Sequence, residues 1–145
     1  MTVLARPVVL AEAEALYCMI DAAAAAERDE CCGVLFGEEM AISAAAALPN
    51  EAPDPRATFT IGASALAAAA RAHRPLDVIG FFHSHPNGSL EPSRTDLDHA
   101  SGWPGYLHAI VATDGQRSTG LAFFRVAASS WDALRLEVRG AWSPF

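Results

Sequence analysis

Apolar positions recur at helical spacing near the start of the chain. Leu16, Met19, Ile20 and Ala23 fall at i, i+3, i+4 and i+7, which predicts an amphipathic helix over residues 10–28. The alanine run at 22–26 suits that helix, because alanine is the best helix former. Residues 32–36 form a short apolar run ended by Gly37, the pattern of a buried strand. Residues 40–48 follow as its hairpin partner across Gly37, Glu38 and Glu39. Residues 49–55 hold three prolines with Asn50 and Asp54 and predict a loop. A short strand at 58–61 and an alanine-rich helix at 63–73 come next. Residues 78–82 are continuously apolar, as expected of a central strand covered on both faces. A loop at 86–92, a short helix at 94–100 and strands at 106–112, 121–126 and 133–138 complete the pattern.

Helices and strands alternate too closely for segregated halves. The expectation is an α/β fold, a mixed β-sheet sandwiched by helices, with residues 1–145 as one domain. No internal repeat and no linker divides the chain.

Composition narrows the picture. Of 145 residues, 52% are hydrophobic and 19% charged, enough apolar material for a core of its own. No apolar stretch approaches a membrane span, and Glu12 and Glu14 interrupt any leader-like apolar region after Arg6, so a cytoplasmic location is expected. Cys18, Cys31 and Cys32 are odd in number, two of them adjacent. That argues against a disulfide framework, and they lack the spacing of a structural zinc site. The formal net charge is −7, and the ten basic residues, all arginine, are scattered from Arg6 to Arg139. No basic patch marks a nucleic-acid partner.

The segment with the most chemistry is Phe81-Phe82-His83-Ser84-His85-Pro86, followed by a Gly-containing loop and then Ser93-Arg94-Thr95-Asp96. Side chains alternate faces along a strand, so His83 and His85 point the same way. Pro86 ends the strand. Ser93 stands at a helix N-cap position, which puts Asp96 in the first turn, facing the strand just left. Two histidines and one carboxylate, with a fourth position open to water, are the ligand set of a catalytic zinc. Such a zinc would lower the pKa of its water from about 16 to about 7. Each piece also has a plain structural explanation: Ser93 and Asp96 suit a capping pair, and His85 simply precedes a strand-ending proline.

Taken together, His83-Ser84-His85-Pro86, Ser93 and Asp96 resemble the H-S-H-P…S-x-x-D signature of the JAMM (MPN-plus, JAB domain) metallopeptidases. Glu30-Cys31-Cys32-Gly33-Val34-Leu35-Phe36-Gly37 is similar to that family's upstream element, a glutamate before a Cys-Gly pair and an apolar strand. The resemblance runs from about residue 10 to about 126, through Asn50 and the Phe59 segment, and implies an MPN/JAB fold with layers like those of cytidine deaminases. It implies that His83, His85 and Asp96 bind zinc. It further implies that Glu30 is the general base, moving a proton from water to the leaving amine, and that Ser93 helps to stabilise the oxyanion. The compact length is similar to stand-alone prokaryotic members. For these the implied substrate is a ubiquitin-like or sulfur-carrier protein, cut after its C-terminal Gly-Gly. Without the resemblance, Glu30 would pass for one exposed acid among Glu27 and Asp29.

Rival enzyme classes fit less well. Phosphoesterases and amidohydrolases with H-x-H motifs are built on larger barrels, and a zinc deaminase would need H-x-E followed by P-C-x-x-C, which is absent. The alternative from another class is a non-catalytic MPN-type scaffold or ubiquitin-like-protein binding module, whose relatives typically lack the ligands retained here. Cys32 is expected to be a packed strand residue beneath the site. His73, His99 and His108 are expected outside the site, with His99 the nearest, and Trp103 to follow the helix in a turn.

Overall fold

The computed structural model describes residues 6–127 and 130–144. Of the segment considered above as a possible leader, residues 1–5 lie outside the described residues. The elements run β1 (Val8–Glu12), α1 (Ala13–Ala26), β2 (Cys32–Glu38), β3 (Ala41–Leu48), α2 (Ala63–Ala72), β4 (Asp77–His85), α3 (Arg94–Ser101), β5 (Leu107–Thr113), β6 (Ser118–Ala127) and β7 (Ser130–Arg139). The architecture is the mixed α/β arrangement that the pattern predicts, with helices against both faces of the sheet.

The sheet closes on itself in the order β1-β3-β2-β4-β5-β6-β7, with β7 returning to pair in parallel with β1. Closure was not legible in the periodicity. It depends on β1, which the helical pattern hid: residues 10–12 are extended and the helix begins at Ala13. A second correction concerns residues 58–61. They form no strand of the sheet, only an isolated bridge between Asn50 and Ile61. The Asn50 side chain supplies what a ladder would have supplied. Its Nδ2 donates to the carbonyls of Thr58 (3.0 Å) and Glu30 (2.9 Å), and its Oδ1 accepts from the N–H groups of Thr60 and Ala52.

Helix α1 buries Leu16, Met19 and Ala23 against the inward residues of the strands, among them Val9, Leu35, Phe82, Leu107 and Val111. Burying each large side chain is worth about 1.5–3 kcal/mol. On the opposite face, Leu66 and Ala69 of α2 cover Val34, Phe36 and Phe81, while Leu97 and Ala100 of α3 cover Ile110 and Phe124. Gly33, in register with Phe82, is required by space: a Cβ there would collide with the Phe82 ring and the Ala46 carbonyl. No helix among the described residues is long and apolar enough to cross a membrane.

Parallel strands β4 and β5 are joined through α3. In α/β sheets the carboxyl end of such a strand, facing the N-terminus of the following helix, is a natural ligand position. Residues 83–96 lie at that junction.

Candidate metal centre

His83 and His85 lie on one face at the end of β4, with Ser84 between them turned to the α1 side. Ser93 caps α3. The Asp96 N–H donates to Ser93 Oγ (3.1 Å), and the Ser93 N–H donates to Asp96 Oδ2 (2.8 Å), a complete capping box. The cap aims the Asp96 carboxylate at the histidines of β4, so capping leaves it available to the cluster. His83 Nε2 lies 3.1 Å and His85 Nε2 2.9 Å from Asp96 Oδ2, and the two imidazole Nε2 atoms are 3.0 Å apart. All three residues are buried.

This arrangement suits a cation. His85 Nδ1 sits 3.0 Å from the Ser89 carbonyl, which can only accept a hydrogen bond. The Ser89 carbonyl holds a proton on Nδ1, so once Nε2 gives up the proton it shares with Asp96, its lone pair faces inward, as in metal-ligating histidines. A single proton can bridge only one of the three close pairs, whereas a divalent ion serves all three donors together. Tetrahedral zinc with bonds of about 2.0–2.2 Å needs donor atoms about 3.3–3.6 Å apart, so a slight opening of the cluster would accommodate it. Among the described residues this is the one group of three or more acidic, histidine or cysteine side chains that converges in this way.

The electrostatics follow from burial and proximity. Burial alone would raise the Asp96 carboxyl, but hydrogen bonds from His83 and His85 outweigh it and hold the group well below the usual carboxylate range. Burial lowers His83 despite its bond to Asp96. Burial also opposes charge on His85, yet Asp96 and the Ser89 carbonyl prevail and its pKa rises.

Glu30 sits just before β2. Cys32 pairs with His83, and the Ser84 N–H donates to the Cys31 carbonyl, so the same register brings Glu30 alongside His85. It is buried, unlike its exposed neighbours Glu27 and Asp29. Burial pushes its carboxyl up to about 7, with His85 lowering it and Asp96 raising it. Its backbone is fixed on both sides: the N–H donates to the Pro55 carbonyl (2.8 Å), and the carbonyl accepts from Asn50. Cys32 is fully buried, with its thiol pushed up to about 12 by burial, in keeping with a packed strand residue.

Three residues that line the site were missed or set aside in the sequence: Phe59, and His99 and His108, both expected outside it. Phe59 stacks on the His83 ring at 4.5 Å and also faces His99 at 5.5 Å. His108, expected outside, lines the same cavity as His83, Asp96 and His99. The available signal was a lone polar residue inside the apolar run of β5. His73 does stay apart, stacked on Phe36 at the end of α2.

The profile of a family described as prokaryotic homologs of the JAB domain matches residues 12–127. A desampylase from Haloferax volcanii is 38% identical over 91 residues, covering 60% of this chain and 65% of the relative, so the match spans a little under two thirds of that protein's length. Among solved structures, a JAB1/MPN domain protein from Archaeoglobus fulgidus aligns with a TM-score of 0.62 at 22% identity, over 90% of this chain and 98% of that one. A structure described as a metalloprotease-like zinc site in the proteasome and signalosome aligns with a TM-score of 0.59 at 20% identity, over 92% of this chain and 99% of that one. At these identities the two structures speak to the fold alone.

Proposed function

The chain belongs to the prokaryotic homologs of the JAB domain, and on that premise we propose that it is a zinc-dependent metallopeptidase of the isopeptidase type. Residues 1–145 are read as one catalytic domain. Its substrate is a ubiquitin-like or sulfur-carrier protein, hydrolysed after the C-terminal Gly-Gly. The observation that carries the reading is the convergence of His83, His85 and Asp96 beside the buried Glu30. The relationship to a desampylase supports the substrate class.

His83, His85 and Asp96 would hold the zinc. When bound, zinc supplies Lewis acidity and a coordinated water with a pKa near about 7. Glu30 would accept a proton from the attacking water and deliver it to the leaving amine. Burial raises the Glu30 carboxyl above its ordinary value, the direction that makes it a better proton acceptor. Ser93 Oγ accepts from the Asp96 N–H, so its own hydroxyl proton is free to stabilise the carbonyl oxygen as charge develops there. Asn50 and Pro55 hold the Glu30 backbone, so the base is presented at small entropic cost.

The test is hydrolysis of ubiquitin-fold proteins carrying a C-terminal extension after Gly-Gly, with products identified by mass. The expected result is cleavage directly after the second glycine, abolished by a chelator and by Glu30→Gln. Zinc-dependent hydrolysis of a phosphoester or small amide, with every such fusion left intact, would overturn the peptidase reading while leaving the metal centre standing.

A further inference from the structure

Glu30 lies just outside the sheet. The ladder between β2 and β4 begins at Cys32, and Cys31 is bonded to Ser84 twice, its N–H donating to Ser84 Oγ and its carbonyl accepting the Ser84 N–H. Both backbone groups of Glu30 are bonded instead to the loop after β3. The N–H donates to the Pro55 carbonyl, and the carbonyl accepts from Asn50 Nδ2. Strand β4 therefore carries His83 and His85, while a loop holds the residue assigned as base.

Asn50 ties that loop together. Its Nδ2 donates to the carbonyls of Glu30 (2.9 Å) and Thr58 (3.0 Å), and its Oδ1 accepts from the N–H groups of Ala52 (3.0 Å) and Thr60 (3.0 Å). A side-chain amide has two protons and two acceptor lone pairs, so this one is fully used. Its partners also fix its orientation, because carbonyls only accept and N–H groups only donate. Between Thr58 and Thr60, Phe59 stacks on the His83 ring at 4.5 Å. One side chain thus joins the base to the segment that abuts a metal-ligating histidine.

We propose that Asn50 is a positioning residue for the hydrolysis: by bonding Glu30 and the Phe59 segment at once, it sets where the Glu30 carboxylate stands relative to His83, His85 and Asp96. The three ligand side chains have supports of their own, β4 and the Ser93 cap. Removing the amide therefore displaces the base and leaves the metal centre in place. Aspartate in its place would keep the two acceptor contacts but has no proton for the Glu30 and Thr58 carbonyls.

The rate effect rests on the isopeptidase reading, whereas the positioning can be tested without it. In the zinc-loaded protein acting on the cleavable fusion, Asn50→Ala should lower kcat about 10²-fold, the cost of a misplaced catalytic group, with zinc content unchanged and KM within about threefold. In a Glu30→Gln background the same substitution should change kcat little further, because residues that act through one another are not additive. Asn50→Asp should behave as Asn50→Ala, and it decides the matter if the Ala variant does not fold. Losses that multiply in the double variant, or zinc lost from both Asn50 variants, overturn the proposal. Amide hydrogen exchange of the intact protein reads the displacement with no substrate. In either variant the Glu30 N–H should lose protection while the Ser84 N–H, bonded to Cys31, keeps it. An equal change at both amides would mark a general loosening and overturn the proposal. If Glu30 alone loosens but the wild type cuts no fusion, the positioning stands and the isopeptidase reading falls.

Discussion

The two faces of β4 carry different kinds of group. Toward α1 the strand presents Phe82, fully buried in the main core, and Ser84, whose Oγ accepts from the Cys31 N–H at 2.8 Å. On the other side it presents Phe81, His83 and His85. The inward polar group is spent on the backbone and leaves nothing over for chemistry. The outward imidazole Nε2 atoms meet one another and Asp96. One face anchors the strand, and the other uses that rigidity to hold donors in place. The inward face also serves the outward one: the Ser84–Cys31 bond fixes the chain one residue from Glu30. Catalytic geometry built on a packed strand is held more tightly than geometry built on a loop.

Substitutions on the two faces should separate these roles. The largest effect is expected from His83→Ala, which should abolish zinc binding and remove the whole catalytic enhancement, about 10⁶-fold or more, while circular dichroism stays native. Zinc retained at full stoichiometry would show that the face is not the ligand set. Glu30→Gln should keep zinc and lose about 10²–10⁴-fold in kcat, measured on the cleavable fusion. Near-normal turnover would remove Glu30 from the mechanism.

Phe82→Ala, on the inward face, should cost about 3–5 kcal/mol of stability in denaturant unfolding, yet leave the metal content of the folded fraction unchanged. A loss of metal without a loss of stability would blur the division between the faces.

The smallest effect is a pH dependence of the metal-free protein. Glu30 is raised from an ordinary 4.5 to about 7, mainly by burial, with His85 and Asp96 acting in opposite senses. Its contribution to stability is therefore full below about pH 4.5 and is lost as pH rises through about 7. Glu30→Gln, which does not ionise, should gain on the wild type across that window in thermal unfolding. A constant difference from pH 4.5 to 7.5 would mean that the carboxyl is not desolvated.

Much of this contrast was legible in the sequence, because it is local. Alternation puts His83 and His85 on one face, and the three-residue step from Ser93 to Asp96 makes a cap, so the convergence of His83, His85 and Asp96 was readable from spacing. What spacing could not show depends on distant partners. β1 pairs with β7 across more than a hundred residues of chain, and the helical period of the following segment masked it. Residues 58–61 alternate like a strand, yet the Asn50 side chain takes over their backbone groups and turns Phe59 onto His83. His108 sits in a run that reads as core, and only the parallel pairing of β5 with β4 shows that it borders the centre.

The central claim is that the outward face of β4, with Asp96, holds a catalytic zinc. X-ray absorption at the zinc edge of the stoichiometrically loaded protein tests it most directly. The expected spectrum shows two imidazole nitrogens with oxygen ligands at about 2.0–2.2 Å and no sulfur. A sulfur shell at about 2.3 Å, signalling thiolate ligation by cysteine, or a spectrum unchanged by His83→Ala, would contradict it.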